Sequence, residues 1–150
     1  MNDIVIQKGA TARLLDLDVF CDDKAVMRIR GDGLIFSTPT GSTAYSLASG
    51  GSIVHPSLEV MLLTPICPHT LTNRPLILPL NSRVTIKVPE FDGNKLYAHV
   101  DGQVSVDLTT GDTIQITESK NKVKFAKSPS KTYFDILRSK LNWGTTPIID

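Results

Sequence analysis

Apolar and polar residues alternate with a period of two along most of this chain. Leu15, Leu17 and Val19 alternate with Asp16 and Asp18, and Ala25, Met27 and Ile29 with Val26, Arg28 and Arg30. The pattern returns at Val84, Ile86 and Val88, at Tyr97, His99 and Asp101, at Val104 and Val106, at Ile114 and Ile116, and at Val123 and Phe125. Successive side chains of a strand point to opposite faces, so this period predicts strands with one buried face. Residues 2–7 alternate more weakly and predict a strand ended by Gly9. Residues 14–30 predict a hairpin turning at Asp22-Asp23. The apolar run over residues 58–63 suits a buried strand. Four prolines between positions 65 and 79 predict a wandering loop before a short strand at Leu76, Ile77 and Leu78, because proline donates no ladder hydrogen bond. Turn signals at 92–94, 101–102, 111–112 and 120–121 divide the later runs. Short strands at close, even spacing predict an antiparallel sandwich or barrel.

Two stretches break the pattern. Phe134, Leu137 and Leu141 fall at helical spacing and predict a short amphipathic closing helix over residues 133–141. Residues 31–56 read GDGLIFSTPTGSTAYSLASGGSIVHP. They predict a strand, a turn crowded with the hydroxyls of Ser37, Thr38, Thr40, Ser42 and Thr43, a short helix over 44–48, and a stop at Gly50-Gly51. Ser42 or Thr43 is expected to cap that helix. Backbone N–H groups from Gly41 onward would then point into the turn, where they favour a phosphate or another polar ligand edge. The class is therefore mainly β: an antiparallel β-sandwich-like domain with one short helix after the GSTAY turn and a short C-terminal helix. No repeat, low-complexity tract or linker divides it, and 150 residues suffice for one domain with its own core.

Composition narrows the partners. A net charge of +1 carries no electrostatic footprint for nucleic acid or a membrane surface. Lys120, Lys122, Lys124, Lys127 and Lys131 read as the solvated face of a strand. Met1 leads into Asn2-Asp3 without a signal-peptide pattern, and no apolar run reaches the ~18 residues a membrane span needs. Cys21 and Cys67, without a CxxC pair, read as reduced thiols of a cytoplasmic protein. His55, His69 and His99 have no partner at ligand spacing, so each is expected to pack or hydrogen-bond and no metal site is expected.

The hydroxyl-rich stretch fits neither familiar phosphate motif. A dinucleotide fingerprint needs glycine where Phe36 stands, and Gly41-Ser42-Thr43 lacks the lysine of a Walker A loop. Spacing alone supports only a capped helix after a strand. The segment DGLIFSTPTGSTAYSLASGG, however, closely resembles the signature of NAD kinases. A second block over residues 64–79, TPICPHTLTNRPLILP, resembles the family's next motif. With Asn2-Asp3 and Val100-Asp101-Gly102-Gln103, the likeness runs over nearly the whole chain.

The resemblance implies an ATP-dependent enzyme that phosphorylates NAD to NADP, with this chain as its C-terminal NAD-binding β domain. It implies that Asn2 bonds an adenine edge and that Asp3, one methylene shorter than the commoner Glu, accepts from the ribose diol; a carboxylate offers two acceptor oxygens for two donors. It assigns Asp32 to the nicotinamide carboxamide, and Arg13 and Arg30, which as strand-end cations would ordinarily be solvated, to the dinucleotide site. It also draws in Thr43, Ala44, Tyr45, Ser46, Leu47 and Ala48. Cys67 either walls the nicotinamide pocket or is a buried structural thiol. Asp101 and Gln103 fall near the site, Gln103 being the better positional match. The family's general base, the Asp of a Gly-Gly-Asp-Gly motif in an N-terminal domain, has no counterpart among these residues, so no catalytic residue is assigned within the chain. The expected partners are NAD, ATP with a divalent metal (magnesium), the N-terminal GGDG domain and further copies of the chain in a homo-oligomer, without nucleic acid or membrane. The rival reading is a non-catalytic NAD-binding or regulatory module.

Overall fold

The structure, a computed structural model, describes residues 1–9, 14–88, 95–126 and 128–142. It divides into two units, Met1–Glu118 and Ser119–Asp150. The described residues of the first form ten strands: β1 (Asp3–Lys8), β2 (Leu15–Cys21), β3 (Lys24–Gly31), β4 (Gly33–Ser37), β5 (Val60–Ile66), β6 (Leu76–Pro79), β7 (Val84–Lys87), β8 (Leu96–Val100), β9 (Val104–Leu108) and β10 (Thr113–Ile116). A 3-10 turn (Thr40–Thr43) and a short helix α1 (Tyr45–Ala48) lie between β4 and β5. A six-stranded antiparallel sheet runs β6-β5-β4-β1-β8-β9 and a four-stranded one β10-β7-β2-β3. One core fills the space between them: Ile6, Leu34, Phe36 and Leu63 from the first meet Leu17, Val19, Ile29 and Ile86 from the second. The expected antiparallel sandwich is what forms. Its hairpins turn at Asp22-Asp23, both with positive φ, and at Asp101-Gly102 (φ 49° and 65°), where primed turns match strand twist.

Strand parity decides which residues leave the core. On β1 and β4, Ile6, Leu34 and Phe36 point inward, so Asp3, Val5, Gln7, Ile35 and Ser37 point to the outer face of the six-stranded sheet. That face has its own apolar cluster, Val5, Ile35 and Ile66. Ser46 of α1 meets Thr64 of β5 at 2.8 Å, and Thr64 pairs with Ile35, so the segment after β4 folds back over this outer face.

Three expectations need correction. β5 does not end before the prolines but runs through Pro65 to Ile66. Its pairing with β6 has already finished at Leu63, so the missing proline donor costs no ladder bond on that side. Neither Ser42 nor Thr43 caps α1: residue 44 occupies the N-cap and no side chain bonds there. Val123 and Phe125 form no strand and are 75% and 76% exposed. Alternation states which face a strand would bury, not that an edge is available to pair it. The described lysines of this region, Lys120, Lys122, Lys124 and Lys131, are exposed outside any strand.

In the second unit, α2 covers Tyr133–Leu141 as expected. A capping box starts it: Thr132 accepts from the Asp135 N–H at 3.2 Å and its own N–H donates to Asp135 at 2.9 Å. The Thr132 hydroxyl, which donates to the Asp135 carboxylate at 2.6 Å, then the Thr132 N–H and Arg138, hold the exposed Asp135 carboxyl at about 2.

Candidate functional site

The outer face of β1 and β8 carries a pocket of about 480 Å³. Asp3, Val5 and Gln7 supply its floor, His99, Asp101 and Gly102 one wall, and Asn2, Ala44 and Tyr45 the rim. The hydroxyl-rich turn builds that rim from below. Thr38 donates its N–H to the Asn2 carbonyl at 2.9 Å and its hydroxyl to the Met1 carbonyl at 3.1 Å, while accepting from the Gly41 N–H at 3.1 Å. Ser42 Oγ donates to the Pro39 carbonyl at 2.6 Å and accepts from the Val54 N–H at 3.0 Å. The hydroxyls therefore clamp the start of β1 and tie down the loop, and the N–H groups of Gly41, Ser42 and Ala44 are spent on Thr38, Pro39 and Gly41. These three N–H groups, expected to face a ligand, are therefore used within the turn itself.

Charge in the pocket is acidic. Asp101 Oδ1 accepts from the backbone N–H of Asn2 at 2.5 Å and of Asp3 at 3.1 Å. Burial pushes its pKa up, but these bonds outweigh it and hold the carboxyl below its usual value. Asp3 goes the other way. Burial, and then the charge of Asp101, raise it, and its carboxylate has no hydrogen-bond donor among the described residues. It is an acceptor awaiting donors.

Of the expected site residues, Asn2, Asp3, Ala44, Tyr45 and Asp101 meet in this pocket, and Tyr45 is exposed rather than a core aromatic. Thr43 adjoins them and donates its hydroxyl to Thr40 O at 3.4 Å. Ser46 is fully buried against Thr64; Leu47, half-buried, and Ala48, exposed, follow it outside the pocket lining. Gln103 closes the β8–β9 turn, its N–H on the Val100 carbonyl at 3.0 Å, and does not line the pocket. Arg30, Asp32 and Cys67 gather at the other end of β1. There Lys8 Nζ pairs with Asp32 at 2.9 Å, and Asp32 donates its N–H to Ile66 O at 2.9 Å. Lys8 is five residues along β1 from Asp3, about 16 Å of strand. Arg30 is exposed, as is Cys67, so the alternative of a buried structural thiol falls. Arg13 lies outside the described residues.

Residues 1–128 match the family described as ATP-NAD kinase C-terminal domain. The chain belongs to that family. Among curated NAD kinases, those of Citrifermentans bemidjiense and Trichlorobacter lovleyi are 46% and 48% identical to it over 144 residues. Each alignment covers 96% of this chain and 50% of the relative, so the chain spans about half the length of the curated relatives it matches. Among solved structures, yeast NADH kinase complexed with NADH superposes with a TM-score of 0.86 at 37% identity, over 99% of this chain and 43% of that one. An NAD kinase from Archaeoglobus fulgidus in complex with ATP gives 0.71 at 32%, over 79% of this chain and 45% of that one.

Several residues of this NAD kinase C-terminal domain escaped the sequence reading, Val5 and Gln7 of the pocket floor among them. His99, expected to pack or hydrogen-bond, is half-buried in the pocket wall, 5.7 Å ring to ring from Tyr97. Ser37 stood in the hydroxyl-rich stretch without a role of its own, and Gly41 was read for its N–H group rather than for its approach to Asn2. Nothing short of the β1–β4 register reveals what they face.

The raised Asp3 carries a stability consequence. A carboxyl whose folded-state pKa lies above its unfolded value contributes stability that is complete below the unfolded value and lost as pH rises through the folded one. At neutral pH the ionised Asp3 therefore costs stability. Asp3→Asn is expected to raise the ligand-free melting temperature at neutral pH, and the gain to shrink as pH falls toward the ordinary 3.8; melting curves over that range check both.

Proposed function

We propose that residues 1–150 are the C-terminal NAD-binding β domain of an NAD kinase, which transfers the γ-phosphoryl group of ATP to the adenosine ribose 2′-hydroxyl of NAD and yields NADP. The observation that carries this reading is the convergence of Asn2, Asp3, Tyr45 and Asp101 in one pocket. Asp3 lacks donors among the described residues, and a ribose diol supplies two. Asn2 takes the adenine edge. Asp32 takes the nicotinamide carboxamide, with Arg30, Arg13 and Cys67 beside that half of the dinucleotide. Thr43, Ser46, Leu47, Ala48 and Gln103 complete or support the binding surface. Phosphoryl transfer depends mainly on positioning and charge stabilisation, so holding the acceptor ribose in line contributes to rate.

The general base and most of the ATP site belong to an N-terminal GGDG domain. Among the described residues no three His, Cys, Asp or Glu side chains converge as metal ligands; magnesium enters with the triphosphate as substrate. A homo-oligomer would cover apolar side chains now exposed on the edge strands, Ile77 of β6 and Val104 and Val106 of β9, since such edges favour association. Among the described residues no helix is long and apolar enough to cross a membrane, and we place the enzyme in the cytoplasm.

Kinetics of the complete enzyme test this reading. Asp32→Asn keeps the shape but exchanges an acceptor oxygen for a donor. Losing a hydrogen bond to a charged group costs roughly 1.5–3 kcal/mol, so KM for NAD should rise about 10- to 150-fold while KM for ATP stays constant. An unchanged KM for NAD would remove Asp32 from the site.

A further inference from the structure

The Ser37 hydroxyl is buried without a partner. The residue is 4% exposed and its Oγ makes no hydrogen bond among the described residues. Such orphans are rare because they lose water and gain nothing in return. Ser37 is the last residue of β4 and stands opposite Asp3 of β1. The ladder fixes how the two meet. The Lys8 N–H bonds Asp32 O at 3.1 Å, and the Thr38 N–H bonds Asn2 O at 2.9 Å. Hydrogen-bonded and non-hydrogen-bonded pairs alternate along an antiparallel ladder, so counting from either end makes Asp3 and Ser37 a non-hydrogen-bonded pair, the kind whose side chains lie closest. Consistent with this, the Asp3 backbone bonds toward the other neighbour: the Asp101 N–H donates to Asp3 O at 3.0 Å. Both side chains leave the core, because Ile4 and Phe36 beside them pack into it.

A donor without an acceptor thus stands beside an acceptor without a donor. We propose that Ser37 is a positioning residue for substrate. Its hydroxyl donates to the Asp3 carboxylate when a ribose diol enters the pocket, fixing one carboxylate oxygen while the other receives the diol. In the empty pocket the Asp101 charge already opposes that of Asp3. When a nucleotide covers the pocket, each carboxylate oxygen needs a donor from protein or ligand. The inference rests on the reading of Asp3 as the ribose-binding carboxylate.

Calorimetric titration of the complete enzyme with NAD, without ATP, tests it on the wild type, Ser37→Ala, Asp3→Asn and the double variant. Ser37→Ala should weaken NAD binding about tenfold, the scale of one hydrogen bond to a charged group. Its ligand-free melting temperature should hold or rise, because an orphaned hydroxyl has been removed. In the Asp3→Asn background the same change should have almost no effect on affinity. The tenfold gap should also narrow as pH is lowered and Asp3 protonates. The other titratable groups facing Asp3, namely Asp101 and His99 from β8 and its turn and Tyr45 from α1, are common to all four proteins, and β4 contributes none. Wild-type affinity in Ser37→Ala, with Asp3→Asn impaired, would overturn the role of Ser37 and leave the pocket reading standing. Equal losses from Ser37→Ala in both backgrounds, or a lowered ligand-free melting temperature, would make it a merely structural residue and also overturn the proposal. Unimpaired binding by Asp3→Asn would defeat the pocket reading itself, and this inference with it.

Discussion

Residues 1–150 assayed alone with NAD, ATP and magnesium are expected to form NADP at least about 10²–10⁴-fold more slowly than a full-length NAD kinase, the usual contribution of a positioned base. The adenosine 2′-hydroxyl is a weak nucleophile at neutral pH. Two carboxylates do line the pocket, but neither suits the task. Asp101 is held ionised at low pKa by two backbone N–H groups, which makes it a poor proton acceptor. Asp3 has the more basic carboxyl, yet in the function proposed above it holds the diol. Neither comes with a triphosphate site, so positioning is lost together with the base. NADP formation by residues 1–150 at a rate near that of a full-length relative would place the base within them and refute this division of labour.

Gly41→Ala should damage the site from outside the pocket lining. A Cβ at Gly41 would run into the Asn2 carbonyl and lie 2.8 Å from the Asn2 Cα. Both obstacles are backbone, so no side chain can swing aside. The strain comes from lack of space rather than from conformation, because Gly41 does not have positive φ. Making room opens the clamp in which Thr38 bonds both the Gly41 N–H and the Asn2 carbonyl, and it moves the start of β1 with Asn2 and Asp3. A displacement of about 1 Å costs on the order of 10²-fold at a positioned site, and overpacking costs about 1–3 kcal/mol of stability. NAD titration and melting of the complete enzyme should show both losses. Wild-type affinity for NAD in Gly41→Ala would mean that Asn2 and Asp3 do not depend on this clamp.

The strand faces were legible because burial on one side of a sheet imposes alternation, as at Leu15, Leu17 and Val19, and the hairpins were legible because Asp22-Asp23 and Asp101-Gly102 suit positive φ. The α2 helix was legible from its spacing, although of Phe134, Leu137 and Leu141 only Leu137 is buried. Register was not: nothing in the spacing of Asp3, Ser37 and Asp101 says that three strands bring them side by side. Hydroxyl content misled as well. Ser42 reads as a helix cap, but a turn pressed against backbone consumes its own hydroxyls. Pro65 reads as a strand breaker until the open edge beside it is known, and Val123 and Phe125 alternate without a strand to join. The resemblance to NAD kinases picked out residues; only the fold separated the Asp3 group from the Asp32 group at the far end of β1.

The central claim is that the pocket floored by Asp3 holds the adenosine half of NAD. Calorimetric titration of NAD into the complete enzyme, without ATP so that no chemistry intervenes, compares the wild type with Asp3→Asn. Loss of hydrogen bonds to a charged acceptor should raise Kd about 10- to 150-fold, even though the variant is the more stable protein in the absence of ligand. An unchanged Kd in a folded Asp3→Asn enzyme would contradict the account.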